Sequence, residues 1–276
     1  MYTIDDCYKY GRDRLLASGL NPIDADFLLP IALGVDKSKV RTIHYVTNRQ
    51  YSKFCRLIRR RCRHVSMDKL IGYTEFLNIT IPFSRHTLTP RQETEILADM
   101  IINDNKNSRD LEILDLCTGS GCLGIAMANN LNARVTMSDI SRKAIRRASR
   151  NARLNNAKVE IVRSNLFDNI TSTFDIIISN PPYIPTTDVR DLEKEVRKFD
   201  PRLALDGGED GLDFYRIIAD KGYQYLRDSG KIYLEIGIDQ GDKVKDILSH
   251  NFDNINIVQD YSGIDRYIIA QKKRER

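Results

Sequence analysis

The sequence predicts an α/β domain built on a mostly parallel sheet, preceded by a smaller all-helical domain. Three features carry that reading. Beyond Gly72, short apolar runs alternate with helical stretches, the pattern of a parallel sheet covered on both faces. A glycine-rich loop separates the first of those runs from the helix that follows it. Before Gly72 the apolar residues recur at helical spacing, with no strand-like alternation.

In chain order, Thr3 with Asp6, and Asn21-Pro22 with Asp24, carry helix-capping chemistry with an acid in the first turn. Phe27, Leu28 and Ile31 then follow helical spacing. A third helix is expected from about Asn48 to Arg63, ending in Arg59, Arg60, Arg61 and Arg63. Residues 73–88 are rich in Thr, Ile and Phe and contain Pro82, which suits a β-hairpin or edge strand. The expected organisation is therefore a helical domain over 1–72, a hairpin linker over 73–95 and an α/β domain over 96–276. Seven strands are expected in the last, at 111–116, 133–137, 159–163, 174–179, 231–236, 255–259 and 266–270. Helices lie near 121–131, 141–156 and 210–226. The short loop over 260–265 pairs the last two strands antiparallel, and a charged end covers 272–276.

Composition narrows the classes. A chain of 276 residues with 41% hydrophobic and 29% charged residues is that of an ordinary globular protein. No apolar run approaches a membrane span of roughly 18 residues, and the start, Met1 to Asp6, is acidic where a signal peptide is basic. A cytoplasmic location is the expectation. Five cysteines without a C-x-x-C pair and four scattered histidines show no metal-ligand spacing. The net charge of +5 is too mild to mark a nucleic-acid binder.

The loop Asp115-Leu116-Cys117-Thr118-Gly119-Ser120-Gly121-Cys122-Leu123-Gly124 matches the G-x-G-x-x-G pattern. Such a turn brings backbone and helix N–H groups close to a ligand. Asp139, ending the second strand, would accept hydrogen bonds from ribose hydroxyls. These features point to an adenosine-containing cofactor but do not separate a nicotinamide from a methyl donor. Asp115 either orders the loop or meets an amine.

The motif after the fourth strand discriminates. Asn180-Pro181-Pro182-Tyr183 leaves the carboxyl end of a buried strand, where ligands bind in parallel sheets. The two prolines hold an extended, donor-poor edge. A planar NH2 group can donate one hydrogen to the Asn180 side-chain oxygen and one to the Pro181 carbonyl, with Tyr183 against its flat face. Accepting both hydrogens orients a poorly nucleophilic nitrogen for in-line attack on an activated methyl. An amide, an adenine and a cytosine all present that group.

The chain resembles the release-factor glutamine methyltransferases (the HemK/PrmC family) over nearly its full length. The likeness rests on Thr89-Pro90-Arg91-Gln92-Glu93-Thr94-Glu95, the glycine loop, Asn180-Pro181-Pro182-Tyr183, the run over 201–216 and Tyr233-Leu234-Glu235-Ile236-Gly237. It implies a Rossmann-like methyltransferase domain whose last strand is antiparallel, and a helical domain that docks the substrate protein. It implies S-adenosyl-L-methionine as cofactor and the glutamine of the Gly-Gly-Gln loop of peptide-chain release factors as target. By position, Cys117, Thr118, Gly119, Ser120, Gly121, Asp139 and Leu166 would hold the cofactor, and Asn180 would touch cofactor and substrate. Pro181, Pro182 and Tyr183 would complete the glutamine pocket, with Asn180, Pro181 and Tyr183 as the catalytic set. A monomer without a direct nucleic-acid substrate is the expectation. The chain departs from the family pattern at Ser66, Gln92 and Asn165, the last in place of an acid near the adenine.

Other readings compete with these. The cluster at Arg59–Arg63 is read as a solvated helix end favoured by the dipole, and Arg142, Lys143, Arg146 and Arg147 as solvent-facing. An enzyme acting on a base must usually extrude it onto stacking aromatics, and this chain has no tryptophan. A ribosomal-protein glutamine and a non-enzymatic, cofactor-binding role stay open on the residues alone.

Overall fold

The computed structural model describes residues 2–274, apart from the side chains of Glu195 and Lys198. Met1, and Glu275 and Arg276 of the charged end, lie outside the described residues. The chain divides into two compact units, Met1–Tyr73 with Lys194–Phe199, and Thr74–Glu193 with Asp200–Arg276.

The first unit runs β1 (Tyr2–Thr3), α1 (Ile4–Leu16), α2 (Asp24–Leu33), β2 (Tyr45–Val46), α3 (Asn48–Arg61) and α4 (Met67–Ile71). The all-helical expectation needs one addition, because β1 pairs antiparallel with β2. Thr3 opens α1 with a capping box: its hydroxyl accepts the Asp6 N–H at 3.1 Å, and the Asp6 carboxylate accepts the Thr3 N–H at 3.0 Å. Asn21 works differently from expectation. Its side chain accepts the Ile23 N–H at 3.0 Å, turning the chain one step ahead of α2, whose cap position is Ile23. Leu15, Leu28, Leu29, Phe54 and Ile58 form the core. The arginine cluster is not uniformly solvated either. Arg61 is buried, and its Nε donates to Asp24 at 2.6 Å, because that side of α3 faces α2.

The second unit opens with the hairpin β3 (Tyr73–Phe76) and β4 (Ile79–Pro82). Phe76, Ile79 and Ile81 are buried in this unit's core beside Ile101, Ile125 and Met137, so from Thr74 onward the hairpin is built into the core. The order continues α5 (Gln92–Asn105), β5 (Leu111–Leu116), α6 (Cys122–Asn130), β6 (Ala133–Asp139), α7 (Arg142–Leu154), β7 (Val159–Arg163) and β8 (Phe174–Ser179). A short helix, α8 (Lys194–Phe199), belongs to the first unit, where Phe199 packs on the core. Then come α9 (Asp213–Lys221), β9 (Leu226–Glu235), α10 (Gly241–Leu248), β10 (Phe252–Gln259) and β11 (Asp265–Lys272).

The seven-stranded sheet has the order β10-β11-β9-β8-β5-β6-β7. Strand β5 pairs in parallel with β6 on one side and β8 on the other. Strand β11 pairs antiparallel with both β9 and β10, so it alone runs against the rest. Two apolar layers cover the sheet, one around Leu97, Ile101 and Met127, the other around Phe174, Tyr215 and Leu248. The chain leaves β5 first toward β6 and later returns to β8 on β5's other side. That reversal opens a crevice at the carboxyl ends of these strands, where a ligand can bind.

Candidate active site

A cleft of about 260 Å³ occupies that crevice. Cys117 and Gly119 after β5, Asp139 at the end of β6, Leu166, and Asn180 and Pro182 after β8 all line it. Thr118, Ser120, Gly121, Pro181 and Tyr183 are not among the residues of its wall; they are near neighbours in the chain of residues that are. The Thr118 hydroxyl donates to the buried Asp115 carboxylate, and the same oxygen accepts the Gly124 N–H at 2.9 Å. Asp115 therefore orders the loop; burial pushes its pKa up to about 7, against those two hydrogen bonds. The Ser120 carbonyl accepts the Asn151 side chain at 2.8 Å. Gly121 has φ +86°, and a Cβ there would press on Ala148 at 3.2 Å, so this glycine serves the close packing of α6 on α7.

Asp139 is held firmly. One carboxylate oxygen accepts the Gly119 N–H at 2.9 Å and the other the Ser141 N–H at 2.8 Å. Burial raises its pKa while those amides oppose the shift. Each oxygen keeps a further lone pair for an incoming hydroxyl donor. Beside it, the Ser138 hydroxyl is buried, lines the cleft and finds no hydrogen-bond partner among the described residues. Leu166 and Ile140 add apolar wall, and Asn165 donates its amide to Asp168 at 3.1 Å. This donor set, two acceptor oxygens and an unpaired hydroxyl above apolar side chains, fits a nucleoside. The Cys117 thiol is pushed far up by burial and stays protonated.

The second half of the site rests on residues whose roles could not be read from the sequence. Asn180 is half-buried, and its side-chain NH2 donates to the Thr94 hydroxyl at 3.1 Å. Thr94 in turn donates to Glu235 at 2.7 Å. Both partners lie in family-like motifs, so their importance was signalled, but not what they touch. The run over 201–216 backs the tetrapeptide: Ile184 donates its N–H to the Leu205 carbonyl at 3.0 Å, and Gly207 donates to the Ile184 carbonyl at 2.8 Å. Gly211 has φ +77°, and any side chain there would run into the Tyr183 carbonyl. Gln240 had no sequence signal at all. It donates to that carbonyl at 2.9 Å and accepts the Gly237 N–H at 2.9 Å. The Tyr183 ring packs on the sheet's core cluster, and burial pushes its phenol up to about 12.

The sheet order, the lone reversed strand and the cleft at the switch point define an α/β methyltransferase. The family model of the methyltransferase small domain matches residues 83–196. The solved methyltransferase from Pyrococcus furiosus shares the fold, with a TM-score of 0.56 at 18% identity over 78% of this chain and 98% of that one. A 16S rRNA methyltransferase from T. thermophilus, solved with AdoMet and guanosine, gives 0.54 at 17% identity over 73% and 50%. Among curated relatives, the release factor glutamine methyltransferase of Thermodesulfovibrio yellowstonii is 38% identical over 91% of this chain and 92% of its own. That of Agrobacterium fabrum is 38% identical over 95% and 94%. This chain belongs to the release factor glutamine methyltransferase family.

Proposed function

We propose that this chain methylates the side-chain amide nitrogen of the glutamine in the Gly-Gly-Gln loop of peptide-chain release factors, with S-adenosyl-L-methionine as methyl donor. The observation that carries the reading is Asn180 on the cleft wall at the end of β8, in a chain similar to these enzymes from end to end.

Asp139 and Ser138 would hold the nucleoside hydroxyls, Leu166 would flank the base, and the Cys117–Gly119 backbone would face the rest of the cofactor. Thr118, Ser120 and Gly121 would act from behind by shaping that backbone. When bound, the cofactor supplies an electrophilic methyl group. The remaining work falls to this chain's own residues. Asn180 Oδ1 and the Pro181 carbonyl accept the two amide hydrogens of the target glutamine, which orients its nitrogen and returns electron density to it. Pro182 and Tyr183 keep that edge rigid and apolar. Orienting the two reactants in this way can supply up to about 7–11 kcal/mol of the barrier reduction.

The release factor is the partner, the first unit is read as its docking module, and the enzyme acts as a cytoplasmic monomer without a nucleic-acid substrate. No helix among the described residues is long and apolar enough to cross a membrane. Mass spectrometry of a release factor incubated with enzyme and cofactor tests the reaction. The glutamine of Gly-Gly-Gln is expected to gain one methyl. An unmodified release factor, with methyl transfer to a ribosomal protein or to an RNA or DNA oligonucleotide instead, would overturn it.

A further inference from the structure

The side chain of Asn180 can serve a donating NH2 group only if its oxygen, not its nitrogen, faces the substrate. An amide is nearly symmetric in shape, so packing alone does not choose between the two orientations. The surroundings do choose. The Asn180 NH2 donates to Thr94 Oγ1 at 3.1 Å, and the Thr94 hydroxyl spends its single proton on Glu235 Oε2 at 2.7 Å. An ionised carboxylate only accepts, so Thr94 must donate to Glu235 and is left with only lone pairs for its other neighbour. Only the Asn180 nitrogen can meet those lone pairs favourably.

We infer that Thr94 and Glu235 are positioning residues for the methyl transfer, a one-way chain of hydrogen bonds that turns the Asn180 oxygen toward the substrate amide. The inference rests on the reaction proposed above and deepens it. The topology makes the chain possible: β8 and β9 pair in parallel with Ser179 opposite Leu234, so the next residues lie side by side, Asn180 just past the end of β8 and Glu235 at the last position of β9. Thr94, in the first turn of α5, closes the gap. All three groups are sheltered, Thr94 at 3% and Glu235 at 2% exposure.

Glu235 also makes the device responsive to pH. Arg266 from β11 and Glu93 from α5 act on it, as do the phenols of Tyr183, Tyr215 and Tyr267 and the Cys122 thiol. Burial pushes its pKa up to about 7, opposed by the Thr94 hydrogen bond, by Arg266 and by a direct hydrogen bond from the Asn180 side chain, which likewise asks for the Asn180 nitrogen on this side. Protonated Glu235 can donate to Thr94, which frees the Thr94 hydroxyl to donate to Asn180 and removes the preference for the productive orientation. Turnover is therefore held in the ionised state and lost as pH falls through that value.

The test compares wild type, Thr94→Val, Thr94→Ser and Glu235→Gln on an intact release factor, with kcat, KM and cofactor Kd measured between about pH 5.5 and about pH 8.5. Thr94→Val is expected to lower kcat at least about tenfold with cofactor Kd unchanged, and Thr94→Ser to stay within about twofold of wild type. The acid limb of the wild-type kcat profile should vanish in Glu235→Gln. In parallel, side-chain amide NMR, with the Asn180 signal assigned by substitution, should show a slowly exchanging NH2 in wild type and Thr94→Ser but not in Thr94→Val. Wild-type turnover in Thr94→Val, or an acid limb that persists in Glu235→Gln, overturns the positioning role while leaving the reaction intact. A wild-type enzyme that leaves the release factor unmethylated overturns the reaction itself, and this inference with it.

Discussion

The side-chain amide of Gln240 donates to the main-chain carbonyl of Tyr183 at 2.9 Å, tying the turn after β9 to the tetrapeptide after β8. Its oxygen accepts the Gly237 N–H at 2.9 Å, so one buried side chain serves both donor and acceptor duties. Gln240→Leu keeps the bulk and removes the partner of the Tyr183 carbonyl and the Gly237 N–H, along with a longer bond to the Gly211 carbonyl at 3.4 Å. It should lower stability by about 1–3 kcal/mol in denaturant unfolding and reduce turnover more than cofactor affinity. A variant as stable and as active as wild type would show that the tie is incidental.

Asn180 is the residue proposed to orient the substrate amide. Asn180→Ala is expected to reduce kcat by about a hundredfold to a thousandfold, the range seen when a reacting group loses a pre-positioned polar partner. Cofactor affinity should fall far less. Unchanged turnover would remove the amide clamp from the mechanism.

Asp139 lines the cleft at the end of β6, where the nucleoside hydroxyls are proposed to bind. Asp139→Ala should weaken cofactor binding by about 1.5–3 kcal/mol, the size of a hydrogen bond to a charged group, when titrated by calorimetry. Because Asp139 also holds the Gly119 and Ser141 amides, Asp139→Asn should lose less. Wild-type affinity in the alanine variant would refute its role.

Asp115 gives a pH-dependent stability of unusual sign. Burial raises its folded-state pKa to about 7 from an ordinary 3.8, so the folded protein holds the proton more tightly than the unfolded chain. Its contribution to stability is complete below the ordinary value and is lost as pH rises through about 7. The Asp115→Asn variant, which cannot ionise, should gain stability relative to wild type as pH rises across that window and hold the gain above it. Thermal melts at a series of pH values check this; a difference independent of pH would contradict it.

Much of this was written in local sequence. The strand-turn-helix alternation, the seven strands and the reversed pairing near the carboxyl end follow from apolar periodicity and loop length, which act within a few residues. So does Asn180 at the end of a buried strand, since two prolines and an apolar run are neighbours in the chain. Element ends were less legible: β10 begins at Phe252 and β9 at Leu226, outside the expected limits, because pairing partners extend a strand beyond its own apolar run. Arg61 read as one solvated arginine of four, yet it is buried against Asp24, a partner 37 positions away.

The class of fold, the chemistry offered by Asn180 and Pro181, and the acid at Asp139 are all legible in the order of residues along the chain. The direction of the Asn180 amide, its contact with Thr94 and Glu235, and the tie from Gln240 to Tyr183 come from the folded chain alone. The folded structure also showed Thr118, Ser120 and Gly121 shaping the loop from behind the cleft. The reason is physical. Backbone conformation and burial are set by near neighbours, whereas the direction of a hydrogen bond is set by whichever donor or acceptor the fold brings alongside. Thr94 and Glu235 are separated by 141 positions and meet only because α5 packs against β9, and they reach Asn180 because β9 lies beside β8.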